Sequence, residues 1–145
     1  MPSWVDAGFA EYARRMPREV RAELIEIKPE RRETGKTSAQ TLAAERSRIE
    51  VALSRDAQRI VLDERGELIS SPTLADWLRG WMAQGQDVAF VIGSADGLDE
   101  GLKKSAHRLL SLSKMTFPHG LARIVLAEQL YRAVSLIQNH PYHRQ

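Results

Sequence analysis

The 145-residue chain contains no cysteine. That excludes a disulfide framework and any thiolate metal site, and it fits a reducing compartment such as the cytoplasm. The opening Met-Pro-Ser-Trp-Val-Asp has no basic segment with an apolar core behind it, so no secretory signal is expected. The clearest apolar run, Val88–Ile92, is far too short to span a bilayer. Histidines are few. His140 and His143 flank Pro141 with no carboxylate nearby in sequence, so no metal site is expected. A Gly-x-Ser-x-Gly elbow, a Walker A loop and a Gly-x-Gly-x-x-Gly turn are all missing, which argues against a serine hydrolase, a P-loop enzyme and a dinucleotide enzyme.

Carboxylates are scarce at one end. Residues 1–102 carry 14 Lys/Arg against 18 Asp/Glu, whereas residues 103–145 carry 7 against a single acid, Glu128. This asymmetry points to a polyanionic partner at the C-terminal end, with a subunit face or a solvated tail as the alternative. The length suits one domain, 1–145, with a real core.

Apolar periodicity predicts a helix through Trp4, Phe9, Tyr12 and Met16, ending before Pro17. A short strand is expected at Leu24–Ile27, then a charged, mobile loop at Pro29–Lys36 and a weaker helix through Leu42, Ile49 and Leu53. Arg59–Asp63 reads as a strand closed by the turn Glu64-Arg-Gly66. Ser71-Pro72 opens a helix in which Leu74, Trp77, Leu78, Trp81 and Met82 share one face, with Gly85 as its stop. The two tryptophans read as core rather than as a base-stacking platform. Asp87–Gly93 is an apolar strand of the kind buried in parallel sheets. Leu98, Leu102, Ala106, Leu109 and Leu110 suggest a further helix. A short part-apolar, part-hydroxyl run, Ser111–Phe117, then ends at Pro118 and Gly120, and a long apolar helix covers about 121–138.

Strand and helix alternate, which predicts an α/β layered sheet. Ligands in such sheets sit beyond the carboxyl ends of strands, here Leu62-Asp63, Ile92-Gly93 and Met115–Phe117. The turn Gly93-Ser-Ala-Asp-Gly97 would let a ligand approach the backbone closely, although an ordinary strand-to-helix turn has the same composition. The last helix is apolar over so much of its circumference that a second covering surface is expected, and a partner subunit would supply one. Arg123, Glu128 and Arg132 interrupt that helix, and charges in such a place should be paired or functional.

Four segments together resemble a known family: Ile92-Gly-x-x-x-Gly97, Leu110-Ser-Leu-Ser-Lys-Met-Thr-Phe-Pro-His119, Arg123-x-x-Leu-x-Glu-Gln-Leu-Tyr-Arg132 and Tyr142-His-Arg144. With Met1–Arg15 and Glu23–Ile27, they are similar over essentially the whole chain to the RlmH family, the ribosomal large subunit pseudouridine N3-methyltransferases of the SPOUT class. The resemblance implies a SPOUT-type, mostly parallel sheet flanked by helices, with a C-terminal trefoil knot, an exception to the unknotted rule. It implies a cytoplasmic homodimer that joins through the C-terminal helix and uses S-adenosyl-L-methionine. Its cofactor contacts would be Leu62, Gly93, Leu112, Ser113, Lys114, Met115, Thr116 and Phe117. Its substrate would be the helix-69 pseudouridine of 23S rRNA in the assembled ribosome. Family members usually begin with another strand, expected to be missing here, and many have Gly-Gly where this chain has Gly93-Ser94.

Methylation of a base nitrogen that carries a proton between two carbonyls calls for a base or for donors to those carbonyls. Tyr142, His143 and Arg144 are the catalytic candidates. Lys103, Lys104, Arg108 and Arg132, with Lys114, are candidates for holding RNA phosphate. Another SPOUT enzyme acting on tRNA, or a non-catalytic RNA-binding dimer, would share much of this pattern.

Overall fold

The computed structural model describes residues 1–31, 35–93 and 97–144. Part of the loop expected at Pro29–Lys36 and the centre of the turn at Gly93–Gly97 lie outside the described residues, as does Gln145.

Three parallel strands form the sheet, in the order β2-β1-β3. They are β1 (Gln58–Leu68), β2 (Val88–Val91) and β3 (Arg108–Ser111). Ile60 sits opposite Phe90 on one side and Arg108 on the other. The sheet is apolar on both faces because helices cover both. Ile60 and Leu110 face a cluster built by α3 (Ser71–Ala83) and α5 (His119–Ile137), with Leu74, Leu78, Trp81, Ala133 and Val134. Val61 and Val91 face Ile49 of α2 (Ser38–Ala52) and Leu102 of α4 (Glu100–Lys104). Helix α1 (Ser3–Ala13) packs outside the sheet on α5: Gly8 lies against Ile124, and Gly120 against Val5.

Helix ends follow local chemistry. Thr37 and Gln40 form a reciprocal capping box at α2. Ser70, one residue earlier than expected, caps α3 by accepting from the Thr73 N–H, and Pro72 lies in the first turn. Gly85, at φ +62°, ends α3 as expected.

Three expectations are corrected. Leu24–Ile27 forms no strand: it has no ladder partner, and Leu24 and Ile25 are exposed. Strand β1 does not stop at Glu64-Arg-Gly66. After a register shift, Glu67 and Leu68 pair with Leu110 and Ser111, so Leu110 faces both Leu62 and Glu67. Gly66 makes this possible, because a Cβ there would lie 2.7 Å from the Leu109 and Leu110 backbone. Finally, the helix expected through Leu98–Leu110 lasts only five residues. Ser105 ends it by donating to the Leu102 carbonyl, and the chain enters β3, where Leu109 and Leu110 point to opposite faces of the sheet. The run expected as a strand through Phe117 is therefore β3 followed by a connection over residues 112–118.

Helix α5 finds both of its covering surfaces within the chain, α3 and α1. Among the described residues, no helix is long and apolar enough to cross a membrane.

Candidate active site

The strands are parallel, so their carboxyl ends lie along one edge of the sheet. The chain leaves β1 for β2 on one side and later crosses to β3 on the other, so the point in β1 where pairing with β2 ends is a topological switch point. Leu62 lies one residue past the last pair with β2, at the register shift within β1 and opposite Leu110, which stands two residues before the segment Leu112–Phe117. At the other end of that segment, the His119 ring donates from Nδ1 to the Gly93 carbonyl at 2.6 Å. Leu62 and Gly93, expected from the sequence to contact the cofactor, are thus tied to the two ends of the third element expected to hold it.

Residues 112–117 carry backbone groups with little internal use. Among the described residues, 113–117 make no backbone–backbone hydrogen bond. The Ser113 hydroxyl accepts from the Met115 N–H, and the Ser111 hydroxyl donates to the Ser113 carbonyl, so two serines shape the connection. Leu112, Ser113 and Phe117 are half-buried, whereas Lys114, Met115 and Thr116 are exposed. Unused backbone donors and acceptors beside half-buried apolar side chains at a switch point suit a nucleoside-bearing ligand.

The histidine that closes this loop is itself held. His119 Nε2 lies 3.2 Å from Arg123 Nη2, and Arg123 Nη1 lies 3.1 Å from Glu26 and 4.0 Å from Asp6. A guanidinium can only donate, so Nε2 accepts and the ring proton sits on Nδ1, facing Gly93. Arg123 is buried, and its Nε has no partner among the described residues.

The tail lies elsewhere on α5. Its last turn, Pro141–Arg144, packs on the second half of that helix. The Tyr142 hydroxyl donates to Glu128 at 2.9 Å, and its ring meets Tyr131 edge-on at 4.7 Å. Arg132 binds the same Glu128 oxygen at 2.7 Å and lies over the Tyr142 ring. Glu128 is nine residues beyond His119, about 14 Å along the helix axis. Among the described residues, no hydrogen bond joins the tail to 112–117. Burial, with the Tyr12 and Glu128 contacts, pushes the Tyr142 hydroxyl well above its ordinary ionisation range. His143 has a buried Nδ1 without a partner among the described residues, and Arg144 is exposed.

The candidate phosphate-binding cations are mostly paired. Lys103 lies 3.6 Å from Asp63 and 3.5 Å from Glu100, and Arg108 lies 3.6 Å from Glu67 and stacks 4.1 Å over Trp77. Arg132 is held by Glu128, whereas Lys104 and Lys114 are exposed. A hollow of about 420 Å³ beside the register shift in β1 is lined by both signs of charge, Asp63, Glu64 and Glu100 with Arg65, Lys103 and Lys104. A larger hollow of about 580 Å³, lined by residues such as Met16, Arg18 and Arg21, includes none of the expected site residues. Among the described residues, no group of three or more His, Asp or Glu could hold a metal ion.

Two residues of this site escape a reading of the sequence, Glu26 and Asp6. Arg123 and Glu128, charges inside an apolar helix, were the available signal, and both are paired as expected.

A family model described as "Predicted SPOUT methyltransferase" matches residues 1–143, and the chain belongs to that family of methyltransferases. Within it, the chain is similar to the Ribosomal RNA large subunit methyltransferase H proteins of Ralstonia pickettii (strain 12J), Nitrosospira multiformis and Burkholderia cenocepacia. Each is 56% identical over 99% of this chain and 92% of the relative.

Proposed function

We propose that this chain transfers the methyl group of S-adenosyl-L-methionine to N3 of the helix-69 pseudouridine of 23S rRNA in the assembled ribosome. The observation that carries the reading is the joining of Leu62, Gly93 and Leu112–Phe117 at one edge of the sheet, in a chain 56% identical to proteins named for methylation of large-subunit rRNA. The knot implied by the resemblance would be formed by the connections around β3. The chain would act as one methyltransferase domain in the cytoplasm, where ribosomes are.

When bound, the cofactor supplies an already activated methyl group, so the protein's main task is alignment. Leu62, Gly93 and the backbone of 112–117 would hold the cofactor. The base nitrogen gives up a proton as it takes the methyl; the tail of the same chain lies about 14 Å along α5 from His119, so a tail residue would take that proton only when supplied by the other subunit of the proposed homodimer. Tyr142 is held protonated, bonded to Glu128, so it donates rather than accepts. Among the described residues His143 keeps a ring nitrogen without a partner, which makes it the better base. Arg144 can bind a carbonyl or a phosphate. Lys103, Lys104, Lys114 and Arg108 would meet RNA, and Arg132 would hold Glu128 and Tyr142 in place.

A homodimer belongs to this reading. It rests on the family resemblance and on exposed apolar residues along α1, the 112–117 connection and α5, namely Trp4, Met115 and Leu121. Light scattering at micromolar concentration should give twice the chain mass, and a monomeric mass would sink the dimer.

The test of function is incubation of the protein and methyl-labelled S-adenosylmethionine with ribosomes lacking the modification, with free tRNA in parallel. Label in 23S rRNA alone is the expected result. Label in tRNA, or in neither, would overturn the reading.

A further inference from the structure

His119 begins α5 at a position where its side chain caps nothing: the residue before it is Pro118, and no side-chain cap bond forms there. The ring instead spans two elements far apart in sequence. Nδ1 donates to the Gly93 carbonyl just beyond β2, and Nε2 accepts from Arg123 one turn further along α5. Arg123 then reaches Glu26 and Asp6, outside the sheet. Its side chain is only 7% exposed, whereas the Glu26 and Asp6 side chains are 55% and 56% exposed. A buried guanidinium with an unbonded Nε and half-exposed acids is a poor arrangement for stability alone, because desolvation of the cation is not well compensated. Its most buried partner is the imidazole that fixes Gly93.

We infer that His119 and Arg123 are positioning residues for the cofactor site. His119 clamps the Gly93 carbonyl to the start of α5, and Arg123 fixes the tautomer and orientation of the His119 ring. The inference rests on the proposed use of S-adenosylmethionine. Gly93 is already confined on its other side, because a Cβ there would lie 2.8 Å from Leu98 and 2.9 Å from the Gly97 carbonyl. With both sides fixed, Gly93 itself keeps one position before the ligand arrives, and preorganisation of this kind strengthens binding without adding a contact to the ligand.

Two near-isosteric variants separate the two bonds. In His119→Asn the amide N–H replaces Nδ1 and keeps the bond to Gly93, while the bond from Arg123 is lost. In His119→Gln the amide oxygen takes the place of Nε2 and keeps the bond from Arg123, while Gly93 is released. Both lose one hydrogen bond, so a purely structural role lowers Tm in both and leaves cofactor affinity alike. Calorimetric titration of each folded protein with S-adenosylmethionine should instead show about tenfold weaker binding for His119→Gln, with His119→Asn within about threefold of wild type. Equal affinities for the two variants and wild type would overturn the inference while leaving the methyltransferase reading standing. Absence of binding by wild type would overturn both.

Discussion

The return of β1 along β3 depends on one missing side chain, and Gly66→Ala tests it. A Cβ at Gly66 would lie 2.7 Å from three backbone atoms, Leu109 C, Leu110 C and Leu110 N. Ordinary carbon contacts begin near 3.5 Å, so the overlap is roughly 0.8 Å. The neighbours are main chain of a central ladder, and they cannot swing aside as a side-chain tip can. Overpacking costs about 1–3 kcal/mol, and a rigid backbone neighbour puts this site in the upper half of that range. For a chain of this length each kcal/mol lowers Tm by about 2–4 °C, so a fall of about 4–12 °C is expected. Gly80→Ala is the matched control. It lies inside α3 with nothing within 4 Å of a new Cβ, so it should gain about 0.5–1 kcal/mol from the lost unfolded-state freedom, raising Tm by about 1–4 °C. Thermal unfolding by circular dichroism at one protein concentration reads both. A Gly66→Ala Tm within about 1 °C of wild type would refute the close approach. The same variant should weaken cofactor binding, because Leu110 leads directly into 112–117.

Other consequences follow from the packing and the charges. Leu102 is fully buried against Val61 and Val91, so Leu102→Ala should cost about 2–5 kcal/mol in urea unfolding and loosen the short helix that carries Lys103 and Lys104. Tyr142 ionises at higher pH in the folded protein than in the unfolded chain, so the folded state retains its proton longer. That contribution to stability is complete below about pH 10 and is lost as pH rises beyond it. Tyr142→Phe should therefore be less stable at neutral pH by about 1 kcal/mol, for the lost bond to Glu128, and should show a shallower alkaline loss of stability than wild type. If His143 is the base, His143→Ala should lower turnover at saturating cofactor by 10²-fold or more while Kd for S-adenosylmethionine changes little, measured by single-turnover methyl transfer.

Much of the fold was legible because periodicity reports burial. Trp77, Leu78 and Trp81 announced α3, and the unbroken apolar run at Val88–Val91 announced a strand covered on both faces. Where local pattern and tertiary pairing diverged, the sequence misled. Leu24–Ile27 has the composition of a strand, yet a strand exists only with a neighbour, and none lies beside it among the described residues. Leu98–Leu110 has helical spacing, yet Leu109 and Leu110 are divided between the two sheet faces, a period of two hidden inside a period of 3.6. The continuation of β1 past Asp63 depends on Gly66 fitting against a strand more than 40 residues later, which no local signal shows. The cap of α2 went unread, although Thr37-x-x-Gln40 is a capping-box pattern. Topology singled out Leu62-Asp63, Ile92-Gly93 and Met115–Phe117, and the structure pairs Leu62 with Leu110 and bonds Gly93 to His119, on either side of the 112–117 connection. The bond from His119 to Gly93 and the ion pair from Arg123 to Glu26 link residues 26 and 97 positions apart, so only folding reveals them.

The most direct test of the central claim is to map the transferred methyl on 23S rRNA. A methyl on N3 blocks the pairing edge of the base, so reverse transcription of rRNA from treated ribosomes should stop at the helix-69 pseudouridine, and only when protein and S-adenosylmethionine are both present. A stop at another position, or a methylated tRNA with unmodified 23S rRNA, would contradict the account.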